Sequence, residues 1–181
     1  MIFKTNSANR LIQKCKKQNR KAQLEVYQKY CTSMFHVSNR ILNHSEAAEE
    51  VMQDAFISAF EKIDQYDETK GVFGAWLKRI VVNKSISYLR KEKDVQFKRL
   101  DDINEIVYEE DSTLEIVSTE TYEHFKKTFE LLKENYQVVL TLHYMEGYDL
   151  QEIGEILNIS YANTRTMLTR AKQSLKKKIE V

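Results

Sequence analysis

Residues 149–178, reading DLQEIGEILNISYANTRTMLTRAKQSLKKK, hold side chains that could recognise a nucleic acid, namely Tyr161, Ala162, Asn163, Arg165, Thr166, Thr169, Arg170 and Lys172. On one side of a helix they make a small, polar and basic face. Arg forks onto guanine, Asn onto adenine, and Thr hydroxyls serve either, so such a face can read base edges in a DNA major groove. An ordinary helical hairpin with a solvated outer face carries the same residue types, and both readings stand at this point.

A second set lies upstream, where Tyr66, Phe73 and Trp76 fall among Lys78, Arg79, Lys84, Arg90, Lys91 and Lys93. Exposed aromatics stack unpaired bases and cations neutralise phosphates, which is the chemistry of single-strand binding. The competing reading, which suits Phe73 best, places these rings in a core. No paired catalytic carboxylates, nucleophile with base, or phosphate loop is found, so neither catalysis nor a cofactor is expected. His36, His44, His124 and His143 lack ligand spacing, and Cys15 and Cys31 stand alone, which points away from a metal site or a disulfide framework.

The elements that must position these groups are readable locally. Asp149 followed by Glu152 is a capping-box pattern that starts a helix, and Ile153, Ile156 and Leu157 give it one apolar stripe. Gly154 leaves room for a second helix to cross closely. Asn158 tolerates the left-handed conformation of a sharp turn, and Ser160 can cap the helix that follows. Ile159 fills the angle, while Met167, Leu168 and Leu175 continue the buried side.

Earlier in the chain, residues 8–43 read as one short and one long helix, with Leu24, Tyr27, Tyr30, Cys31, Met34, Phe35, Val37, Ile41 and Leu42 on the buried side. Ser45 is the expected cap of the next helix, whose core stripe is Val51, Met52, Ala55, Phe56, Ala59, Phe60 and Ile63. That leaves Glu49, Glu50, Gln53 and Asp54 outward, an acidic face that a solvated helix surface explains adequately, with a protein-docking site as the second reading. Residues 64–74 hold turn formers and two glycines and read as a loop. A helix follows from Ala75 to about Lys93. Residues 120–134 and 135–146 read as two further helices, the second closed by Gly147.

The 181-residue chain has no Pro and four Gly, which favours an all-α protein. No apolar window is long enough to span a membrane and no leader pattern opens the sequence, so a soluble cytoplasmic protein without membrane insertion is expected. The net charge of +1 hides three regimes. Residues 1–93 hold 17 Lys and Arg against 10 Asp and Glu, residues 94–120 hold 2 against 9, and residues 121–181 hold 9 against 8. The expected architecture is therefore two small helical domains, 1–93 and 120–181, joined by an acidic flexible linker at 94–119. The second domain is a four-helix helix-turn-helix.

Three stretches together resemble bacterial RNA polymerase sigma factors of the extracytoplasmic-function (ECF) group. AAEEVMQDAFISAF is similar to the segment that grips the polymerase clamp helices, and FGAWLKRIVVNKSISYLRK to the segment that melts and holds the minus-ten element. The helix-turn-helix, preceded by LLKENYQVVLTLHYMEGYDLQEIGEIL, resembles the domain that reads the minus-thirty-five element. The resemblance implies polymerase contacts at Glu50, Gln53 and Asp54. It implies that the loop at 66–73, with Tyr66, Asp67, Lys70 and Phe73, receives a base flipped from the non-template strand, near Trp76, Lys78, Arg79, Asn83 and Lys84. It places Tyr161, Asn163, Arg165, Thr166, Thr169 and Arg170 at the minus-thirty-five groove. Core RNA polymerase, through its clamp helices and flap, promoter DNA in duplex and single-stranded form, and an anti-sigma factor are the implied partners. Met167 stands where a basic residue is common, Ser87 where Asp is usual, and Asn158 where Gly is usual. A stand-alone helix-turn-helix regulator and a protein-binding helical scaffold are the alternatives: the first should bind duplex DNA unaided, the second not at all.

Overall fold

The computed structural model describes residues 3–97 and 119–179, with side chains from 9 to 97 and from 124 to 179. Among the described residues every regular element is helical. Helix α1 spans Phe3–Lys16, α2 Arg20–Leu42 and α3 Ser45–Glu61; a 3-10 turn at Ile63–Gln65 follows, then α4 at Phe73–Glu92. After residue 118 come α5 at Thr119–Glu130, α6 at Glu134–Leu140, a π-helical turn at Thr141–Met145, α7 at Leu150–Leu157 and α8 at Tyr161–Ile179. The chain divides into two compact units, Met1–Lys93 and Asp94–Val181. The acidic linker expected at 94–119 lies, for 98–118, outside the described residues.

In the first unit α2, α3 and α4 pack on one another and α1 lies against α2. Val26, Met34, Val37 and Ile41 of α2 meet the buried stripes of α3 (Val51, Ala55, Phe56, Ala59) and α4 (Leu77, Val81, Val82, Leu89). Spacings of three and four residues put each set on one helix side. The core also holds two hydroxyls, Ser38 of α2 and Ser85 of α4, hydrogen-bonded at 3.1 Å. Ser85 also lies within donating distance of the Val81 carbonyl, at 2.9 Å. Their burial therefore leaves no unmatched polar atom.

Two local expectations are corrected. Leu24 is 56% exposed rather than buried, because Ala22 and Val26 set the inward line of α2 and a residue midway between them points the other way. Helix α3 is capped by His44, not Ser45. Asn43 ends α2 in the left-handed conformation at φ 48°, which leaves His44 extended with its Nδ1 accepting the Ala47 N–H at 3.2 Å. Ser45 is then the first helical residue.

In the second unit α6 and α7 pack on α8, and α5 lies along α8 as well. Val138, Val139, Leu142, Ile153, Leu157, Met167, Ala171 and Leu175 make its core. Gly147, at φ 74°, turns the chain after the π-helical segment, and the Tyr148 N–H donates back to the Leu142 carbonyl at 3.0 Å. The expected four-helix arrangement is present.

Candidate nucleic-acid interface

The turn between α7 and α8 is built from contacts within a few residues of one another. The Asp149 carboxylate accepts the Glu152 N–H at 2.8 Å, and Glu152 accepts the Asp149 N–H at 3.0 Å, so both ends of the capping box are closed. Asn158 adopts φ 51°, ψ 49°, which reverses the chain. The Ile159 N–H then donates to the Gly154 carbonyl at 2.9 Å. A Cβ on Gly154 would lie 3.0 Å from the Ile159 carbonyl oxygen and 3.1 Å from Thr164 Oγ1, so the absent side chain is what lets α8 cross here. Ser160 Oγ accepts the Asn163 N–H at 3.2 Å and caps α8.

The cap and the crossing fix the rotation of α8. Thr164, Met167, Leu168, Ala171 and Leu175 face inward. Tyr161, Ala162 and Arg165 are exposed, and Asn163, Thr166, Thr169 and Arg170 are half-buried, so the six groups expected to read DNA lie off the core. Thr169 donates its hydroxyl proton to the Arg165 carbonyl at 3.0 Å, which leaves its oxygen able to accept a further hydrogen bond. Met167, at 2% exposure, belongs to the core, so a basic side chain there would point inward. Gln151, exposed on α7, and Tyr161 both line an open recess between the two helices; no periodicity or motif in the sequence marks Gln151.

In the first unit Phe73 takes the core position that suited it best in the sequence, and Tyr66 is buried beside it. Tyr66 and Phe73 are only 7% and 5% exposed, packed edge-on at 5.3 Å between centroids. Phe73 also meets Tyr30 of α2 at 5.7 Å. Closing the loop onto α2 takes the apolar surface of both rings out of water. Trp76, 5.5 Å from Phe73 and half-buried, is the ring of the three that reaches solvent. Tyr66 instead ties the loop shut, its hydroxyl donating to the Gly71 carbonyl at 3.0 Å, and burial pushes its phenol above the ordinary value.

The loop has further internal fastenings. The Asp67 carboxylate accepts from the Thr69 hydroxyl at 2.7 Å and the Thr69 N–H at 2.9 Å. Those two bonds hold its carboxyl below the usual Asp value. Lys16 at the end of α1 donates to the Tyr66 carbonyl at 3.0 Å, a contact that no local pattern announces. Lys70, Arg79 and Asn83 are exposed, and Lys78 and Lys84 are half-buried along α4.

Glu50, Gln53 and Asp54 are all exposed on α3. Gln53 donates to Glu49 at 3.2 Å, and Asp54 pairs with Lys84 of α4. Ile57, one turn further along α3, is 58% exposed and extends this face with an apolar side chain; its position off the core stripe was the available signal.

This geometry has counterparts among known proteins. The family model described as Sigma-70 region 2 matches residues 26–95, and that described as Sigma-70, region 4 matches residues 125–175. The ECF RNA polymerase sigma factor SigW of Bacillus subtilis (strain 168) is 29% identical over 180 residues, covering 93% of this chain and 94% of the relative. SigM of the same organism, also an ECF RNA polymerase sigma factor, is 30% identical over 152 residues, covering 84% of this chain and 91% of the relative. Among solved structures, the sigma factor RpoE from Bartonella quintana, in complex with the anti-sigma factor NepR, aligns with a TM-score of 0.57 at 18% identity, over 87% of this chain and 98% of that one. At that identity the likeness is one of fold.

Proposed function

The chain belongs to the ECF RNA polymerase sigma factors, and from that membership we propose how its side chains divide the work of promoter recognition. A sigma factor directs core RNA polymerase to promoter DNA. Here α3 supplies the polymerase contact through Glu50, Gln53 and Asp54, which are exposed on one stretch of helix while the opposite side of α3 is core.

Helix α4 and its preceding loop serve the minus-ten element. Lys78, Arg79 and Lys84 supply cations for the non-template phosphates, Asn83 a polar edge, and Trp76 the ring on which an unpaired base can stack. Stacking contributes about 1 to 3 kcal/mol per base, enough to offset the few kcal/mol that each unstacked step costs. Asp67 and Lys70 stand on the loop itself, and Tyr66 and Phe73 hold that loop in shape from beneath. Helix α8 enters the major groove of the minus-thirty-five element with Tyr161, Asn163, Arg165, Thr166, Thr169 and Arg170, at about 1 to 3 kcal/mol per good bidentate contact.

The polymerase performs the chemistry and this chain acts without catalysis, in the cytoplasm where the polymerase works. Among the described residues no helix is long and apolar enough to cross a membrane. The NepR complex of the Bartonella relative supports an anti-sigma protein as a further partner.

The observation that carries this reading is the conjunction, on one chain and in order, of a region 2 unit with an acidic outer helix and a region 4 unit with a polar, basic α8. Run-off transcription from a randomised promoter library tests it. Defined start sites should appear only when the chain and core polymerase are both present. Selection of duplex sites by the chain alone, with no effect on the polymerase, would count against it.

A further inference from the structure

Residues 1–24 hold seven Lys and Arg and no Asp or Glu, and five of those cations stand at the corner where α1 meets α2. Arg10, Lys14 and Lys17 follow at spacings of four and three, so they form one exposed stripe along α1. Asn9, Gln13 and Lys16, each one residue earlier and so about 100° away around the helix, line the recess beside the loop instead. The Asn19 N–H donates to the Lys14 carbonyl at 3.2 Å, which folds the chain tightly back into α2. Exposed Arg20 and Lys21 carry the positive charge across that turn, and Leu24 and Glu25 end it. The region 2 match begins at residue 26, beyond the corner, and recognition by the loop and α4 gives the corner no role.

Nothing within the fold accounts for this charge. Among the described residues none of the five has an ion-pair partner. Like charges three and four apart destabilise a helix. The negative end of the α1 dipole favours Lys14, but Arg20 and Lys21 stand in the first turn of α2, at its positive end. An anionic partner relieves both costs. Protein interfaces deplete Lys and centre on apolar anchors, whereas three of these five are Lys and their exposed neighbours Gln13, Gln18 and Asn19 are amides. A phosphate accepts Lys as a point charge. From Arg10 to Lys17 the stripe runs about 10 Å, the length of about three phosphates of one strand.

We propose that the α1–α2 corner is a second, sequence-independent DNA surface, on which Arg10, Lys14, Lys17, Arg20 and Lys21 hold the phosphates of the non-template strand beside the minus-ten element. Lys16 places it there, because its bond to the Tyr66 carbonyl at 3.0 Å sets this end of α1 against the loop that leads into α4. Asp64, Asp67 and Glu68 line the gap between α1 and the loop, and their repulsion keeps the backbone on the outer side of α1. The proposal rests on the assignment of the loop and α4 to the minus-ten element.

The test measures promoter binding by the full chain with core polymerase as salt is raised. In Arg10→Gln/Lys14→Gln/Lys17→Gln the loss of affinity between about 50 and 200 mM salt should shrink about tenfold, the effect of about three single-strand phosphates. Base preferences at both promoter elements should not move, since phosphates carry no sequence. The charge-keeping variant Arg10→Lys/Lys14→Arg/Lys17→Arg should restore the parent's salt dependence. Removing like charges relieves repulsion along α1, so the thermal midpoint of the glutamine variant should not fall. Synthetic promoters give a second readout: three neutral methylphosphonate linkages in the non-template strand beside the minus-ten element should lower the salt dependence of the parent chain and leave the glutamine variant unchanged. Loss of polymerase capture by that variant with its salt dependence intact would make the corner a protein contact and overturn the proposal. Should the variant keep both while Lys78→Gln/Arg79→Gln lowers the salt dependence, the corner is solvated surface and the minus-ten assignment survives. Should neither variant lower it, the assignment of α4 itself fails and the inference with it.

Discussion

Asp54 of α3 and Lys84 of α4 are joined by a salt bridge, so a residue assigned to the polymerase and a residue assigned to DNA hold each other across the helix pair. Their side chains keep 59% and 30% of their exposure, which places the pair at the surface rather than in the core. Water screens such a pair, and its contribution to folding is below about 1 kcal/mol.

Asp54→Lys separates docking from folding. Capture of core polymerase in a pull-down should be lost, while the thermal unfolding midpoint stays within a few degrees of the parent chain, as expected for a change of about 1 kcal/mol or less. Undiminished capture would remove Asp54 from the docking face. A large drop in midpoint would instead make the ion pair structural.

Gly154→Ala tests the helix crossing. The added Cβ would meet the Ile159 carbonyl of the turn at 3.0 Å and Thr164 Oγ1 in the first turn of α8 at 3.1 Å. Since the Ile159 N–H is held by the Gly154 carbonyl and Thr164 Oγ1 lies 3.1 Å from the Ser160 carbonyl it donates to, neither can retreat freely. A destabilisation of about 1 to 3 kcal/mol is expected by chemical denaturation, despite the higher helix propensity of Ala. A variant as stable as the parent would show that the turn yields.

How legible each part was in the sequence follows from the reach of its contacts. The α7–α8 pair is readable because Asp149, Glu152, Gly154, Asn158 and Ser160 all act on partners within about one or two helical turns. The cap of α3 was misplaced by one residue because His44 and Ser45 both offer acceptors, and the choice was made by where α2 ends, at Asn43. The core place of Phe73 was legible in the sequence, whereas the fate of Tyr66 could not be read locally. An aromatic beside lysines is a stacking platform or a core residue according to what packs on it, and for Tyr66 that is Phe73 and Trp76, with Tyr30 of α2 on Phe73 in turn. Lys16 reaches Tyr66 across 50 residues and Asp54 reaches Lys84 across 30, distances over which composition and periodicity carry no information.

The loop carries a pH signature. Thr69 holds the Asp67 carboxyl below its ordinary value of 3.8, first through its hydroxyl and then through its N–H. A depressed carboxyl value means that the turn gains from ionised Asp67 above the ordinary value and loses that gain as pH falls through the lower, folded value. Thr69→Val removes the hydroxyl and keeps the N–H, so the Asp67 titration midpoint, followed by carboxyl NMR, should rise toward 3.8 without passing it. An unchanged midpoint would show that the hydroxyl bond does not persist in solution.

Arg165 decides between the two ways α8 can hold DNA. It is exposed one turn beyond Tyr161 and one turn before Thr169, in the middle of the outward face, where a side chain entering a groove meets base edges sooner than phosphates. A guanidinium bidentate to guanine contributes about 1 to 3 kcal/mol of discrimination against the other bases, whereas a phosphate contact contributes equally to all sequences. Arg165→Ala should therefore flatten preference at one or two adjacent minus-thirty-five positions, by roughly tenfold or more, in transcription from a library randomised there. The salt dependence of promoter binding should change little. Uniform weakening across the library, with the salt slope reduced by about one counterion, would move Arg165 to the backbone and leave base reading to Asn163 and Arg170.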